Sequence, residues 1–153
     1  MVEHQHSQKT VDDVERLLRT VSMIIKKRGR EILAEFEITP PQFNALLTLI
    51  QNGNLTIGDL GEKMYLACST ATDLVDRMER NGLVVRERDT ADRRVIRLRV
   101  LERGHQMLEA VMQARRKYLS GVLERVSVDE TATMVAALNH LSELMTREEV
   151  SQA

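Results

Sequence analysis

The chain contains 153 residues, of which 42% are apolar and 3% aromatic, and its formal net charge is −1. This length fits one domain or one compact subunit, and the apolar fraction suffices for a core, which excludes a largely disordered chain. No apolar run approaches the ~20 residues of a membrane span, no charged leader precedes a cleavage site, and the single cysteine excludes an intrachain disulfide framework. We therefore expect a soluble, cytoplasmic protein with no membrane partner.

The N-terminal part of the chain predicts one long amphipathic helix. The first ten residues include His4, His6 and several other polar side chains, and they are expected to fray. From Val11 onward, apolar residues recur with helical periodicity until about Phe36. The resulting apolar stripe is too long to stay in water without a packing partner.

A second helix is predicted to begin after Thr39. Thr39 supplies an N-cap, Pro40 occupies the first helical position, and Gln42 stands where a capping box needs it. The helix is expected to end near Asn52 and Gly53. Its predicted inward side chains are Phe43, Leu46, Leu47 and Ile50.

Two further helices, joined by a tight segment at residues 64–67, predict a helix-turn-helix. Thr56 caps the first of them, with Asp59 at its third position. The second ends before Gly82, which can adopt the left-handed conformation of a helix terminus. The predicted inward side chains of this fourth helix are Ala71, Leu74, Val75 and Met78.

A basic β-hairpin is predicted directly after the fourth helix. Residues 83–85 and 95–100 form two β-branched runs around a polar tip at residues 89–94. In the second run, apolar residues alternate with Arg97 and Arg99, which is the period of a half-buried strand. A hairpin with outward arginines, following a helix rich in Ser, Thr and Arg, is typical of a winged helix-turn-helix that binds DNA.

Charge is segregated along the chain, and this favours a nucleic-acid partner despite the total of −1. Residues 76–103 contain nine arginines and six acids, whereas residues 124–149 contain two arginines and six acids. A local basic patch matters more for DNA than the net charge. A solvated surface is the alternative interpretation of the arginine-rich segment.

Two more long helices complete the chain after Gly104. Ser127 and Glu130 predict a capping box between them. The expected division is therefore residues 1–38 as an N-terminal dimerisation arm, 39–103 as the winged helix-turn-helix, and 104–153 as C-terminal dimerisation helices. Packing the long helices against a second copy would give a two-fold dimer, which matches two half-sites of palindromic DNA. The last helix is expected to pack through Met134, Val135, Leu138, Leu141 and Met145.

The exposed face of the fourth helix supplies candidate DNA contacts. Ser69, Thr70, Thr72 and Arg77 lie on that face in the predicted helix; alternatively, Ser69 only caps it. Asp73 on the same face would be repelled by phosphate unless it accepts from cytosine or pairs with Arg77.

The predicted tip of the hairpin supplies a second set of candidate contacts. It carries Asp92, Arg93 and Arg94, and Asp92 is close enough in sequence to orient Arg94 toward a narrow minor groove. A surface ion pair without a functional role is the alternative.

The run STATDLVDRMERNGLVVRERDTADRRVIRLRVLERG, at residues 69–104, resembles the MarR family of bacterial transcriptional regulators, and the order of elements extends the resemblance to about residues 11–145. The resemblance implies an obligate winged-helix homodimer that binds pseudo-palindromic promoter DNA, usually as a repressor, and releases it when a small phenolic or lipophilic ligand or an oxidant acts. By position, it implies that Arg94 enters the minor groove with Asp92 orienting it. Ser69, Thr70, Thr72 and Arg77 would then lie in or beside the major groove.

The chain departs from that family at two places. Ala67 and Cys68 stand where Ser or Thr commonly precedes the recognition helix, so that helix is expected to begin loosely or one residue later. Asp73 replaces a residue that is basic or neutral in many relatives. These departures bear on the base contacts rather than on the fold.

Other functions receive less support from the sequence. Cys68 near a helix N-terminus is a candidate thiol sensor, His105 and His140 are too isolated for a metal site, and no catalytic constellation or cofactor motif predicts an enzyme. Methionines on the long helices could line a crevice for a lipophilic effector. The alternatives to an effector-relieved repressor are a constitutive or architectural DNA-binding protein without a ligand, and a protein-interaction module that has lost DNA binding.

Overall fold

The computed structural model describes residues 7–151, with the side chains of residues 7–148. Two compact units, Met1–Gln113 and Ala114–Ala153, divide the chain. The described elements, in chain order, are α1 (Gln8–Glu35), α2 (Pro40–Asn52), α3 (Ile57–Lys63), α4 (Cys68–Arg80), β1 (Val84–Arg88), β2 (Ile96–Val100), α5 (Glu102–Leu123) and α6 (Val128–Ser151). The predicted fold class, mainly helical with a two-stranded hairpin wing and long flanking helices, is confirmed.

Helix α1 begins earlier than the sequence predicts. Ser7 is its N-cap and accepts a hydrogen bond from the Thr10 amide at 3.3 Å, so the expectation of fraying is wrong for residues 8–10. His4 and His6 lie outside the described residues. The predicted end near Phe36 is confirmed, since Phe36 is the C-cap. Glu37 follows in the left-handed conformation, with φ 55°.

Helix α2 has the predicted capping box, with reciprocal hydrogen bonds between Thr39 and Gln42, and it ends at Gly53 as expected. Its buried face is rotated slightly from the prediction. Ile50 is exposed rather than inward, and Leu49 is buried in its place. The buried residues of α2 are Gln42, Phe43, Ala45, Leu46 and Leu49.

Helices α3 and α4 pack closely to form the helix-turn-helix. Thr56 caps α3 as predicted, and Asp59 returns a hydrogen bond to the Thr56 amide, which completes a capping box. A Cβ at Gly61 would lie 3.3 Å from the Ala71 Cβ, so glycine permits the close approach of the two helices. The inward residues of α4 are the predicted set, Ala71, Leu74, Val75 and Met78. Gly82 ends the segment with φ 69°, as predicted.

The hairpin pairs β1 and β2 antiparallel, with Val84 opposite Val100 and Arg88 opposite Ile96. Strand β1 begins one residue later than predicted and extends to Arg88. Its extension is explained by pairing, because a strand continues as long as its partner supplies hydrogen bonds, whatever its own polarity. The Leu98 amide donates to the Leu55 carbonyl at 2.8 Å, which joins the hairpin to the segment before α3.

The sequence predicts that α5 begins after Gly104. The helix begins at Glu102 instead, so Gly104 lies inside its first turn. A Cβ at Gly104 would lie 2.5 Å from the Leu83 carbonyl oxygen and 2.7 Å from Val100 Cγ1. Glycine at this position therefore lets the start of α5 pack on the base of the hairpin.

In the second unit, Ser127 and Glu130 form the predicted capping box at the start of α6. An apolar groove of about 650 Å³ is lined by Leu123, Val126, Val128, Thr131, Ala132, Val135, Ala136 and Asn139. Large apolar side chains of α6 are exposed in the single chain, among them Met134, Val135, Leu138 and Met145. None of the described helices is both long and apolar enough to cross a membrane.

Candidate nucleic-acid interface

The outer face of α4 presents a small polar surface. Ser69, Thr70, Asp73 and Arg77 are exposed on it. Thr72 is half-buried, and its hydroxyl donates to the Cys68 carbonyl at 2.9 Å, so only its lone pairs and methyl group remain for other contacts. Four of the predicted contact residues are thus brought onto one helix, with Thr72 the least accessible of them.

The N-terminal end of α4 has no side-chain cap. Ala67 is the N-cap residue and makes no capping hydrogen bond, and the helix begins at Cys68. The expectation that the helix begins one residue later is therefore wrong, since α4 starts directly after Ala67. Ser69 and Thr70 occupy the second and third helical positions, so the alternative in which Ser69 caps the helix is wrong, and both hydroxyls stay available at the surface.

Arg77 is oriented by the helix backbone rather than by Asp73. Its Nε donates to the Asp73 carbonyl oxygen at 3.3 Å. No ion pair joins the two side chains in the described part of the chain, so pairing with Arg77 does not offset the charge of Asp73.

Arg86 links the wing to α4. Its Nη2 lies 2.5 Å from Asp76 Oδ1 and its Nη1 lies 2.5 Å from Glu79 Oε2. Its backbone amide also donates to Glu79 Oε1 at 3.0 Å, and this hydrogen bond is the main reason that the pKa of Glu79 lies below its usual value. The Arg86 side chain is 26% exposed, so this cluster is partly shielded from water. It fixes β1 against α4.

The tip of the wing is closed by Asp89. Its Oδ1 accepts from the amides of Ala91 at 2.7 Å and Asp92 at 3.2 Å, and its Oδ2 accepts from Arg97 Nε. These hydrogen bonds, with that from Arg97 the largest contribution, lower the pKa of Asp89 to about 2. The carboxylate is therefore ionised at neutral pH. Arg97 also donates to the Asn54 carbonyl at 2.9 Å, which ties the tip to the body of the unit.

Asp92 and Arg94 form a bidentate pair at the tip. Arg94 Nε lies 3.1 Å from Oδ1 and Nη2 lies 3.0 Å from Oδ2, while the Arg94 amide donates to Oδ1 at 3.0 Å. The Arg94 side chain is 91% exposed. The guanidinium side-chain hydrogen bond is the main reason that the pKa of Asp92 is lowered, so the pair is ionised at neutral pH.

Several arginines near the interface keep their charge uncompensated. In the described residues, no carboxylate lies within ion-pair distance of Arg77, Arg80, Arg88 or Arg93, whereas Arg86, Arg94, Arg97 and Arg99 are each paired. Arg93 is exposed, and its carbonyl accepts from Arg88 Nη1 at 3.4 Å. The unpaired guanidinium groups are the natural partners of phosphate.

Comparison with known proteins identifies the family. Residues 38–96 match the MarR family model. The "uncharacterized HTH-type transcriptional regulator YsmB" of Bacillus subtilis is 47% identical over 90% of this chain and 94% of its own length. The solved structure of a MarR family protein from Bacillus stearothermophilus has a TM-score of 0.83 at 50% identity, covering 92% of this chain and 99% of that chain.

The chain belongs to the MarR family of transcriptional regulators.

Two further similarities are informative. The organic hydroperoxide resistance transcriptional regulator of Bacillus subtilis is 31% identical over 84% of this chain and 86% of its own length. The structure of a mutant MepR of S. aureus bound to an oligodeoxyribonucleotide has a TM-score of 0.69 at 23% identity, covering 86% of this chain and 97% of that chain. The second likeness concerns the fold alone.

For this MarR-family chain, the sequence alone does not reveal the role of Arg86. Its carboxylate partners lie seven and ten residues earlier on another element, and such a separation leaves no periodic signal in the sequence. Cys68 is exposed at the first residue of α4. In the side chains described, no cluster of three His, Cys, Asp or Glu residues could hold a metal ion.

Proposed function

We propose that this MarR-family regulator is a sequence-specific homodimeric repressor that acts in the cytoplasm on pseudo-palindromic promoter DNA. The observation that carries the proposal is the pairing of two features: a polar, exposed face on α4, and a wing whose exposed Arg94 is held in one direction by Asp92. The N-terminal half of α4 would lie in the major groove of one half-site, and the oriented Arg94 would lie in the minor groove beside it.

In this proposal the candidate residues have separate tasks. Ser69, Thr70 and Arg77 contact base edges or phosphates of the major groove, with Thr72 at its margin. Arg94 enters the minor groove and Asp92 orients it. Arg93, exposed and without a carboxylate partner in the described residues, contacts phosphate. The oligodeoxyribonucleotide bound by the MepR mutant supports such a docking for a chain of this fold.

The dimer is supported by unpartnered apolar surface on the long helices. The predicted apolar stripe of α1 is exposed in the single chain. Val11 and Ile25, for example, are 50% and 53% exposed. Contiguous apolar surface of this extent marks an association site. We assign residues 1–38 and 104–153 to dimerisation and 39–103 to DNA binding, and a two-fold arrangement of two copies would present two α4 helices to DNA.

Relief by a small lipophilic effector is the regulatory step that we propose. The apolar groove at the α5–α6 turn offers a surface for such a molecule, and none of the residues that line it is methionine. Met23 on α1 and Met134 on α6 are exposed. A ligand that binds more tightly to a dimer arrangement unable to bind DNA would shift the protein toward that arrangement. DNA affinity would fall to the extent that the ligand prefers it over the DNA-binding arrangement.

The decisive experiment is fluorescence anisotropy of the purified protein on a duplex from upstream of its own gene, with a scrambled duplex of equal composition as the control, at about 150 mM salt. Tight binding to the first duplex alone, with two chains per site by sedimentation, supports the proposal and permits an effector screen by the same measurement. Equal, steeply salt-dependent binding to both duplexes would favour an architectural protein without a ligand.

A further inference from the structure

Tyr65 lies in the turn between α3 and α4, and its conformation and exposure are both unusual. Its φ is 55°, which lies in the left-handed region that residues with a Cβ atom disfavour, and its side chain is almost fully exposed, at 97% for the residue. Of the four positive-φ residues in the described part of the chain, two are glycines, Gly53 and Gly82, and the others are Glu37 and Tyr65.

The local backbone demands this conformation. The Tyr65 amide donates to the Glu62 carbonyl at 3.2 Å, and the Leu66 amide donates to the Gly61 carbonyl at 2.8 Å. This pair of hydrogen bonds is the Schellman arrangement that ends many helices, and glycine is the residue it favours at the left-handed position. Tyrosine here therefore carries a conformational cost that glycine would not.

No contact among the described residues offsets that cost. The ring is almost wholly in water, and among the described residues the phenol hydroxyl makes no hydrogen bond. Tyrosine presents one donor and a large rigid ring to whatever it meets, so its presence at this position points to a contact outside the chain.

The position of the turn indicates what that contact is. Tyr65 precedes Cys68, the first residue of α4, by three residues, a distance of at most about 11 Å along the chain. Ser69 and Thr70 follow on the exposed face. When the N-terminal part of a recognition helix lies in the major groove, the segment just before it reaches the phosphates that border the groove.

We propose that Tyr65 contacts the DNA backbone, with its hydroxyl donating a hydrogen bond to a phosphate oxygen at the edge of the major groove. This inference rests on the proposed function, namely that α4 is the recognition helix. A neutral donor displaces no condensed cation and reads no base. Its loss should therefore weaken specific and random DNA alike and leave the slope of log affinity against log salt unchanged.

Two variants and a matched control test the inference. Tyr65→Phe keeps the ring and the backbone conformation but removes the donor, and Tyr65→Gly removes both the ring and the conformational cost. Glu37→Gly is the control, because Glu37 is exposed, has the same φ of 55° and follows α1 in the same hydrogen-bonded arrangement, with the Ile38 amide donating to the Leu33 carbonyl at 3.2 Å.

We expect both Tyr65 variants to bind the upstream and the scrambled duplexes about three- to tenfold more weakly than the wild type, the range of one neutral hydrogen bond, with parallel salt slopes. Tyr65→Gly and Glu37→Gly should both melt at or above the wild-type temperature, and Glu37→Gly should bind DNA as the wild type does. Arg93→Ala should instead reduce the salt slope.

The possible outcomes distinguish a failure of the Tyr65 contact from a failure of the proposed DNA-binding function. If the wild type binds DNA and Tyr65→Phe binds it with the same affinity, the hydroxyl contact is wrong. The proposal that α4 binds DNA would then stand. A loss confined to the upstream duplex would also overturn it, because a backbone contact is blind to sequence. If the wild type binds neither duplex, both the proposed function and the role of Tyr65 are wrong.

Discussion

Asp92 holds Arg94 through both carboxylate oxygens, at 3.1 and 3.0 Å, although the arginine side chain is 91% exposed. An exposed arginine normally samples many rotamers, and fixing it on binding costs conformational entropy. Here that cost is largely met within the free protein, because the bidentate pair and the amide hydrogen bond already select one direction. The pair therefore pre-organises the tip of the wing for the DNA contact that we propose.

The first prediction concerns this pair. Arg94→Ala should weaken binding to a specific duplex by between about five- and a hundredfold without changing the assembly state. Asp92→Asn should weaken binding less, because the guanidinium stays charged but loses its orientation. Arg16→Ala on α1 removes another solvent-exposed arginine, 59% exposed and paired with Asp13 at 3.1 Å, and should leave affinity unchanged. Anisotropy titrations measure all three; equal affinity of Arg94→Ala and wild type would remove Arg94 from the interface.

A second prediction concerns the cluster formed by Arg86, Asp76 and Glu79. Arg86→Met should lower the free energy of unfolding by about 1–2 kcal/mol, because two partly shielded carboxylates would be left facing each other without a cation. Arg99→Met is the control, since the Arg99–Glu87 pair is about half exposed and should contribute little. Urea denaturation followed by circular dichroism measures both variants. Equal stabilities of the two would show that the Arg86 cluster is no more than a surface pair.

A third prediction uses the pKa of Asp89, which is about 2 in the folded protein against an ordinary value of 3.8. A lowered folded-state pKa means that the carboxylate stabilises the fold fully above the ordinary value, and that this contribution is lost as pH falls toward 2. Wild type should therefore be more stable than Asp89→Asn at pH 6, with the difference shrinking between about pH 4 and pH 2. Urea midpoints across that range measure it, and a difference independent of pH would contradict the ion pair with Arg97.

A fourth prediction compares two glycines of α5. Gly104→Ala should lower the free energy of unfolding by about 1–3 kcal/mol or more, because its Cβ would lie 2.5 Å from the Leu83 carbonyl oxygen. Gly121→Ala should instead raise it by about 0.5–1 kcal/mol, since nothing lies within 4 Å and alanine favours a helix. Thermal melts of both variants at equal protein concentration give the comparison. Equal effects of the two substitutions would mean that α5 shifts to accommodate Gly104→Ala.

Local signals in the sequence predict the helices and their caps well. Thr39, Thr56 and Ser127 each begin a helix with the expected reciprocal partner, because a capping box is complete within four residues. The buried face of α4 also follows from helical periodicity alone. These features need no knowledge of the rest of the fold.

Features that depend on distant partners are not predicted. Ile50 fits the apolar period of α2 as well as Leu49 does, and only packing against other elements decides which is buried. Arg86 has its carboxylates seven and ten residues earlier on another element, and β1 extends to Arg88 because β2 pairs with it. Likewise, an exposed Tyr65 in the left-handed region leaves no trace in composition or periodicity.

The hydrogen bonds from Arg97 to Asn54 and from Leu98 to Leu55 attach the wing to the segment before α3. A free two-stranded ribbon is marginally stable and bends readily, but bending this one away from α3 would break two bonds to backbone carbonyls. The angle between the wing and α4 is therefore fixed within the free chain. If two copies bind one operator, each wing must dock together with the α4 of its own copy and cannot turn alone to follow a minor groove of different width. Base changes that alter the width of that groove should therefore cost affinity, even when every contacted base is retained.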